Sequence, residues 1–460
     1  MSGEQVMGFA LFWGVWLLVP LLVDGVTALV YLVGIWLSPH PVRRSAWLRS
    51  RRAEPPPLVS VIVPMHNARR TLRRCLDSLA AQDYPPDRLE IICVDNGSSD
   101  DSLGVFSHSQ TAHRSLSVQW VSLPVANKAR ALNAGIHMAR GSLVICLDAD
   151  VRLDWQAVST MTGAFMTNPG LVAATGSVEV EPVRDGRGSI FTRILTACES
   201  LEYLGAFRVG RRYQTLTDTL YTLSGAFSAF RREALLATFL YDDATVSEDT
   251  KLTLDLRTQQ LASHSLGCVD DAVAYVEPIR SLKALYAQRV RWQRGQLEVA
   301  AFYPPRMLGG LLRSLRSFVG RLTISDHTLA FPRLVWTFLL PFLFLLGYPT
   351  DLVLMAWGSL YLCYVAIEGL QTLTIWAHVP ESYHRDFARF WAVVPVMPVY
   401  RFMLYWFRFS GILLTLTEPA AWKVVDPFTQ LGAALGGSRA SPPAATQDLH
   451  RANRKTAGSA

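Results

Sequence analysis

The stretch SLVICLDAD, Ser142 to Asp150, carries five apolar residues in a row and ends in two carboxylates, Asp148 and Asp150, one residue apart. A short β-branched apolar run bounded by polar residues is the pattern of a strand buried on both faces, as in a parallel sheet covered by helices. Three similar runs precede it: LVSVIVP (Leu58 to Pro64), EIICVD (Glu90 to Asp95) and VQWVSL (Val118 to Leu123), with helical patterns between them. Strands alternating with helices predict an α/β domain with a mostly parallel sheet. In such sheets ligands bind beyond the carboxyl ends of the strands, and two of these runs end in acids there, at Asp95 and at the pair Asp148 and Asp150.

Taken whole, the chain is more apolar than a wholly soluble protein of 460 residues sustains: 50% is hydrophobic, 18% is charged and the mean hydropathy is +0.21. Length alone allows about three domains. The 44 Lys and Arg exceed the 37 Asp and Glu, for a net charge of +7. Much of the excess is arginine beside apolar runs, which suits an anionic membrane surface or a phosphate-bearing substrate, and no nucleic-acid-binding module is visible. Cysteines at 75, 93, 146, 198, 268 and 363 form neither a CxxC pair nor a Cys/His cluster. They are expected to be reduced core thiols rather than a disulfide framework or a zinc site.

The N-terminal region 1–38 is apolar from Met7 to Leu37 apart from Asp24. A bilayer crossing needs ~20 such residues, so one span over Val19 to Leu37 is expected, retained rather than cleaved. Arg43, Arg44, Arg49, Arg51 and Arg52 lie in a basic, Pro-rich linker at 39–57 and place the following α/β domain, 58–303, in the cytoplasm, with the N-terminus outside. In 304–325, Leu308, Leu311, Leu312, Leu315, Phe318, Val319 and Leu322 recur at helical spacing among arginines, as in a helix lying in the membrane interface. Region 326–420 holds three lipid-length segments, near 328–348, 352–376 and 390–416, the last broken by Pro395, Pro398 and Arg401. With the N-terminal span this makes about four transmembrane helices in a multi-pass plasma-membrane protein. Glu368, Gln371 and Arg401 are costly in lipid and either face a polar path or pair internally. The tail, 421–460, has the composition of a disordered segment, and there are no internal repeats.

Each candidate site residue has a chemical and a bland reading. Asp148 and Asp150 supply hard oxygens suited to Mg2+ or Mn2+ carrying a diphosphate; a DxD is also a common solvated turn, and here its place after a buried strand favours the first. Asp95, followed by Gly97, can accept hydrogen bonds from a base or ribose, or simply belong to an Asn-Gly turn. Lys128, just before the helical pattern ALNAGIHMAR, meets a phosphate or is one more surface lysine. Ser247-Glu248-Asp249 is an acidic pair in polar sequence, and Gln288-Arg289-Val290-Arg291-Trp292 joins a guanidinium to an indole. Alone, the former reads as a solvated surface and the latter as a membrane-interface cluster.

In this order and between membrane segments, Asp95, the DxD at 148–150, the Ser-Glu-Asp at 247–249 and QxxRW at 288–292 resemble the family-2 membrane glycosyltransferases. More narrowly, they are similar to the processive poly-N-acetylglucosamine, chitin, hyaluronan and cellulose synthases, over roughly Pro55 to Phe302. The resemblance implies a GT-A fold binding a nucleotide sugar. It implies Asp95 at the uracil or ribose of a UDP-sugar, Lys128 at the diphosphate, and Asp148 and Asp150 at nucleotide and metal. It further implies Asp249 as general base, and Gln288, Arg291 and Trp292 as a cradle for the diphosphate and the acceptor end of the chain. The loop Leu223-Ser224-Gly225-Ala226-Phe227 matches the family's acceptor loop, with Gly225 permitting close approach. Asn96 stands where a second aspartate is common, which weakens the base contact, and Ser247 where threonine is common, which keeps a hydroxyl.

The reaction so implied is an inverting displacement: an acceptor hydroxyl attacks the anomeric carbon of UDP-N-acetylglucosamine or UDP-glucose and UDP leaves. Asp249 takes the proton, with Glu248 beside it to raise its pKa. Cations and a divalent ion stabilise the leaving charge, and Trp292 stacks on a pyranose. The expected partners are the UDP-sugar, the growing polysaccharide, the bilayer and accessory exopolysaccharide export proteins, with no nucleic acid. Two competitors remain: transfer of a single sugar to a polyprenyl phosphate, and a transporter or receptor whose α/β domain only binds nucleotide.

Overall fold

The computed structural model of the chain describes residues 22, 25–37, 55–124, 126–182, 189–259, 265–302, 342–385 and 387–417. The four apolar runs form β1 (Val59–Met65), β2 (Leu89–Asn96), β3 (Ser117–Leu123) and β4 (Leu143–Leu147). They pair in parallel in the order β3-β2-β1-β4. Every residue of β1, β2 and β4 is buried, whereas edge strand β3 is only partly covered. Strand β1 has β2 on one side and β4 on the other, so the strand order reverses at β1/β4, the place where α/β sheets bind ligands beyond their strand ends.

Beyond β4 the sheet is not parallel, which corrects the expectation of a mostly parallel sheet. It continues β7 (Phe227–Arg231), β6 (Leu171–Val180), β8 (Ser265–Val276) and β5 (Arg152–Leu153), giving one mixed eight-stranded sheet. Strand β7 runs antiparallel to both β4 and β6, β5 antiparallel to β8, and only β6 and β8 pair in parallel. Because β7 enters where β4 ends, Phe227 faces Leu147 in register, and the Asp148 N–H donates to the Ala226 carbonyl at 3.2 Å. The antiparallel insertion therefore brings the loop before β7 to the DxD turn.

Helices cover both faces. On one, Val59, Val61 and Val63 pack with residues of α2 (Leu72–Ala80) and α5 (Ala157–Thr167); α3 (Ser102–Ala112) adds Phe106. On the other, Ile62, Ile92, Val94 and Val144 pack with α4 (Lys128–Met138) and with Leu252 and Leu256 further along the chain. The alternation of Val61 and Ile62 between these two cores is the period-2 geometry of a strand. Helix α4 lies so close that a Cβ on Gly135 would come within 2.4 Å of Ile62 Cγ2.

The remaining helices link this domain to an apolar cluster. They are α1 (Val26–Leu37), α6 (Ile190–Tyr203), α7 (Arg211–Leu216), α8 (Arg232–Leu236), α9 (Glu248–Gln259), α10 (Leu282–Phe302), α11 (Thr350–His378), α12 (Glu381–His384), α13 (Phe387–Val393) and α14 (Met397–Thr417). A π-helical turn, Leu204–Gly210, joins α6 to α7. Residues of α1, α6, α10, α11, α13 and α14 share one core, including Ile35, Leu201, Val290, Ile375, Phe390 and Met397. Among the described residues α11 is long and apolar enough to cross a membrane, and the expected span 390–416 is instead two helices meeting at 71°. Pro395 explains the break, since it lacks an N–H and disfavours helix at the preceding residue. Glu368 pairs with Arg401, whose guanidinium also reaches Gln371 Oε1 at 3.0 Å, so these polar groups satisfy one another. Trp36 Nε1 donates to Thr374 Oγ1 at 3.2 Å, docking α1 on α11. The linker arginines 43–52, the interfacial segment 304–325, most of 328–348 and the tail 421–460 lie outside the described residues. Cysteines 75, 93, 146 and 198 are buried free thiols, and Cys268 and Cys363 are partly covered and free.

Gly135→Ala should destabilise the chain by about 1–3 kcal/mol, the usual cost of overpacking a β-branched core. Gly358→Ala, at a helical position with no atom within 4 Å of the added carbon, should not. Thermal midpoints of the two variants in detergent make the comparison.

Candidate active site

Lys128 starts α4, whose N-cap Asn127 accepts the Arg130 N–H at 2.9 Å through its side chain. A lysine gains nothing from a helix N-terminus, where the dipole is positive, so its place there points to acidic partners. Its ammonium lies 2.7 Å from Asp148 Oδ1 and 3.5 Å from Glu248 Oε1. Both acids come from elsewhere in the chain: Asp148 from the turn after β4, Glu248 from the first turn of α9. Burial works against the Lys128 charge, but Asp148, Glu248 and Asp249 more than reverse that, and its pKa is raised.

Asp249, next in α9, takes a different set of donors. Its Oδ2 accepts the Gly225 N–H at 2.9 Å and its Oδ1 the Thr250 N–H at 2.7 Å. A Cβ on Gly225 would stand 3.3 Å from Asp249 Oδ2, a tight contact, and 3.5 Å from Lys128 Nζ, an ordinary one. The loop is pinned from behind, where the Ser224 N–H donates to Thr175 Oγ1 at 3.2 Å. Asp148, Lys128, Gly225, Glu248 and Asp249 thus form one cluster at the end of β4.

Two carboxyls are perturbed, Glu248 within this cluster and Asp150 two residues beyond Asp148. Burial first, and then the Asp249 charge, push Glu248 up to about 7 against the opposing pull of Lys128. Asp150 opens to the cleft, yet the protein packed around it, and next the Asp148 charge, raise its carboxyl above the usual range. Such unbalanced negative charge is what a cation would relieve. Among the described residues no three His, Cys, Asp or Glu are placed together to hold a metal ion, which leaves Asp148 and Asp150 as the candidate pair of ligands. That set fits Mg2+ or Mn2+ completing its coordination with diphosphate and water.

Asp95 ends β2, separated from β4 by β1 alone, roughly 10 Å away at ordinary strand spacing. Its Oδ1 accepts the Ser98 N–H at 3.0 Å and its Oδ2 the Ser122 hydroxyl at 3.2 Å, while Gly97 makes the turn at φ +71°. Asn96 faces its neighbour loop, its side-chain oxygen accepting the Asn127 N–H. The turn reading of this stretch is therefore realised, with Asp95 beside the cleft but not inside the Lys128 cluster.

Gln288, Arg291 and Trp292 lie on α10, which docks directly on the acidic turn. A Cβ on Gly295 would meet Ser247 Oγ at 2.4 Å, and Glu298 Oε2 accepts the Val246 N–H at 3.3 Å. Trp292 packs with Ala226, Tyr203 and Phe207 around Val178 and Val180, so its ring adjoins the loop that carries Gly225. Gln288 Nε2 reaches the Tyr203 hydroxyl at 3.4 Å, and Arg291 is half-buried between them on the same helix.

Sequence reasoning missed Thr175, Arg211 and Arg289. Arg211 is buried, donates to Thr175 Oγ1 at 3.2 Å and lies 4.6 Å over the Phe207 ring. Nothing in the local pattern marks Arg211 or Thr175; Arg289 is inside the QxxRW segment, at a position that the motif leaves open.

The eight-stranded mixed sheet thus carries an acidic cluster beyond the end of β4. Residues 60–239 match the family described as Glycosyl transferase family 2, and the chain carries a family-2 glycosyltransferase domain. It resembles poly-β-1,6-N-acetyl-D-glucosamine synthases. Against that of Staphylococcus epidermidis strain ATCC 35984 it is 29% identical over 265 residues, 57% of this chain and 60% of the relative. A second Staphylococcus epidermidis synthase is 30% identical over 242 residues, covering 52% of this chain and 55% of its own length. The chain thus spans little more than half the length of these curated relatives. The fold is shared with the mannosyltransferase PcManGT of Pyrobaculum calidifontis, at a TM-score of 0.59 and 16% identity, over 88% of this chain and 99% of that one.

With Glu248 raised from 4.5 to about 7, the folded chain holds a proton that the unfolded chain has lost across that window. Stability contributed by this group is therefore complete below about 4.5 and is lost as pH rises to about 7. Glu248→Gln should remove that part of the fall, read as a shallower slope of thermal midpoint against pH for the ligand-free protein.

Proposed function

We propose that this chain is a membrane-bound, inverting glycosyltransferase that builds a β-linked polysaccharide from a UDP-sugar, with UDP-N-acetylglucosamine the first donor and UDP-glucose the second. The observation that carries the reading is the meeting of Asp148, Lys128, Gly225 and Asp249 at one point, under a helix that bears Gln288, Arg291 and Trp292. The named activity of the staphylococcal relatives supports N-acetylglucosamine as the sugar.

Asp95 binds the uridine end through lone pairs left over from its Ser98 and Ser122 bonds. Lys128 and Arg291 hold the diphosphate, and Asp148 and Asp150 would hold Mg2+ or Mn2+ against it. The metal when bound neutralises charge on the departing diphosphate. Lys128 serves the same end: already charged and fixed between two acids, it needs no reorganisation as UDP leaves. Asp249 accepts the proton of the acceptor hydroxyl. Its two backbone N–H donors aim the carboxylate, leaving lone pairs for the substrate. Trp292 stacks on the terminal sugar and Gln288 hydrogen-bonds it, which restricts the acceptor to an attacking pose. The catalytic domain faces the cytoplasm, α11 and the α13/α14 pair belong to a multi-pass bundle, and the product leaves through it, with export proteins as further partners.

Asp249→Asn should leave UDP-sugar binding within a few-fold of the parent and lower transfer by about 10²–10⁴, the range of general-base catalysis. Binding by calorimetry and transfer by UDP release separate the two effects; parallel loss of both refutes the role of Asp249. UDP release by purified membranes across a panel of UDP-sugars, with products digested by linkage-specific glycosidases, tests the activity. A polymer is expected, and a single-sugar lipid on thin-layer chromatography overturns the polymerase reading. EDTA should abolish release, and Mg2+ or Mn2+ should restore it.

A further inference from the structure

Arg289 lies within the segment 288–292 at a position to which no role has yet fallen. Its guanidinium carbon stands 4.4 Å from the centre of the Trp292 ring and 5.9 Å from that of Tyr203. The side chain is only 3% exposed, so the cation needs a buried anion, and Glu202 supplies it: Nη2 to Oε2 is 2.7 Å. The same Glu202 oxygen accepts the Tyr400 hydroxyl at 2.8 Å. Glu202 is at the end of α6 and Tyr400 is on α14, so three helices contribute to one chain of contacts that ends on the indole.

An indole has two flat faces, and a cation over one of them is attracted to the ring's negative quadrupole. Phe207 meets the ring edge-on, at 6.0 Å and 81°, and Tyr203 meets it at 6.4 Å, tilted by 42°. Neither stacks flat on it, while Trp292 itself stays only half-buried. Locking such a ring before the sugar arrives lowers the ordering cost of binding.

We propose that Arg289 is a positioning residue: held by Glu202 and by Tyr400 of α14, it fixes the plane of Trp292 so that the opposite face of the indole is presented to the terminal sugar of the acceptor. The proposal rests on the functional reading of Trp292 above and extends it to the membrane-side helix.

The test uses the full chain in detergent or membranes. Subtracting the near-ultraviolet circular dichroism of each Trp292→Phe double variant from that of its parent isolates the signal of this indole. That signal should shrink in Arg289→Ala and Tyr400→Phe and persist in Arg289→Lys, which keeps a cation at the ring. With a short β-linked N-acetylglucosamine oligosaccharide as acceptor, Arg289→Ala should raise the acceptor KM about tenfold. The UDP-sugar KM should stay at the parent value, and Arg289→Lys should recover most of the loss. An unchanged Trp292 signal in Arg289→Ala, or an equal rise in both KM values, overturns the proposal. If the parent chain transfers nothing, the functional reading fails instead, and the spectral comparison still decides whether Arg289 orders the ring.

Discussion

Three carboxylates around one partly covered ammonium are the constraint from which the rest of the site follows. Asp148, Glu248 and Asp249 come from segments about a hundred residues apart and would repel one another in a low-dielectric cleft without Lys128 between them. A partly covered pair of this kind is weak support for stability, since desolvation offsets much of the attraction. Its value is specificity of arrangement: the turn after β4, the start of α4 and the start of α9 each have one position at which all charges are met.

That cluster is tied to the apolar bundle by α10. Gly295 presses on Ser247 at one of its faces, and Gly411 of α14 lies within 3.0 Å of Gln293 when given a Cβ. Glycine at both contacts lets backbones approach where any side chain would hold them apart. A second tie runs through Arg208, buried between Glu179 of β6 and Asp271 of β8 at 2.8 and 2.9 Å, with the Tyr383 hydroxyl donating to Glu179 at 2.8 Å. The 288–292 segment and the apolar helix cluster are therefore one packed unit.

Strands β1, β2 and β4 were readable because each buries both faces and so shows as a largely apolar run, and edge strand β3 because of its β-branched and aromatic residues. Strand β7 was not, since FSAFR is short, alternates with polar residues and carries no mark of direction. Direction is a property of pairing, and pairing of Leu147 with Phe227 joins residues eighty positions apart. Within the site, Asp148, Asp249 and the 288–292 segment stood out through residue type and order. Glu202, Tyr400 and Arg211 did not, because an acid at a helix end, a tyrosine in an apolar helix and one arginine among many look the same whether or not they meet anything.

Residue order alone therefore gave the alternation of strands and helices in β1 to β4 and the family likeness, since these depend on local periodicity and on side-chain chemistry. Only the folded chain decided that β7 runs backward, that the 390–416 segment bends by 71°, that Glu248 rather than a solvent-facing acid shares Lys128, and that Arg289 covers Trp292. Each of these depends on which distant groups become neighbours once water is excluded, and burial, close backbone approach and ion pairing act only after that choice is made.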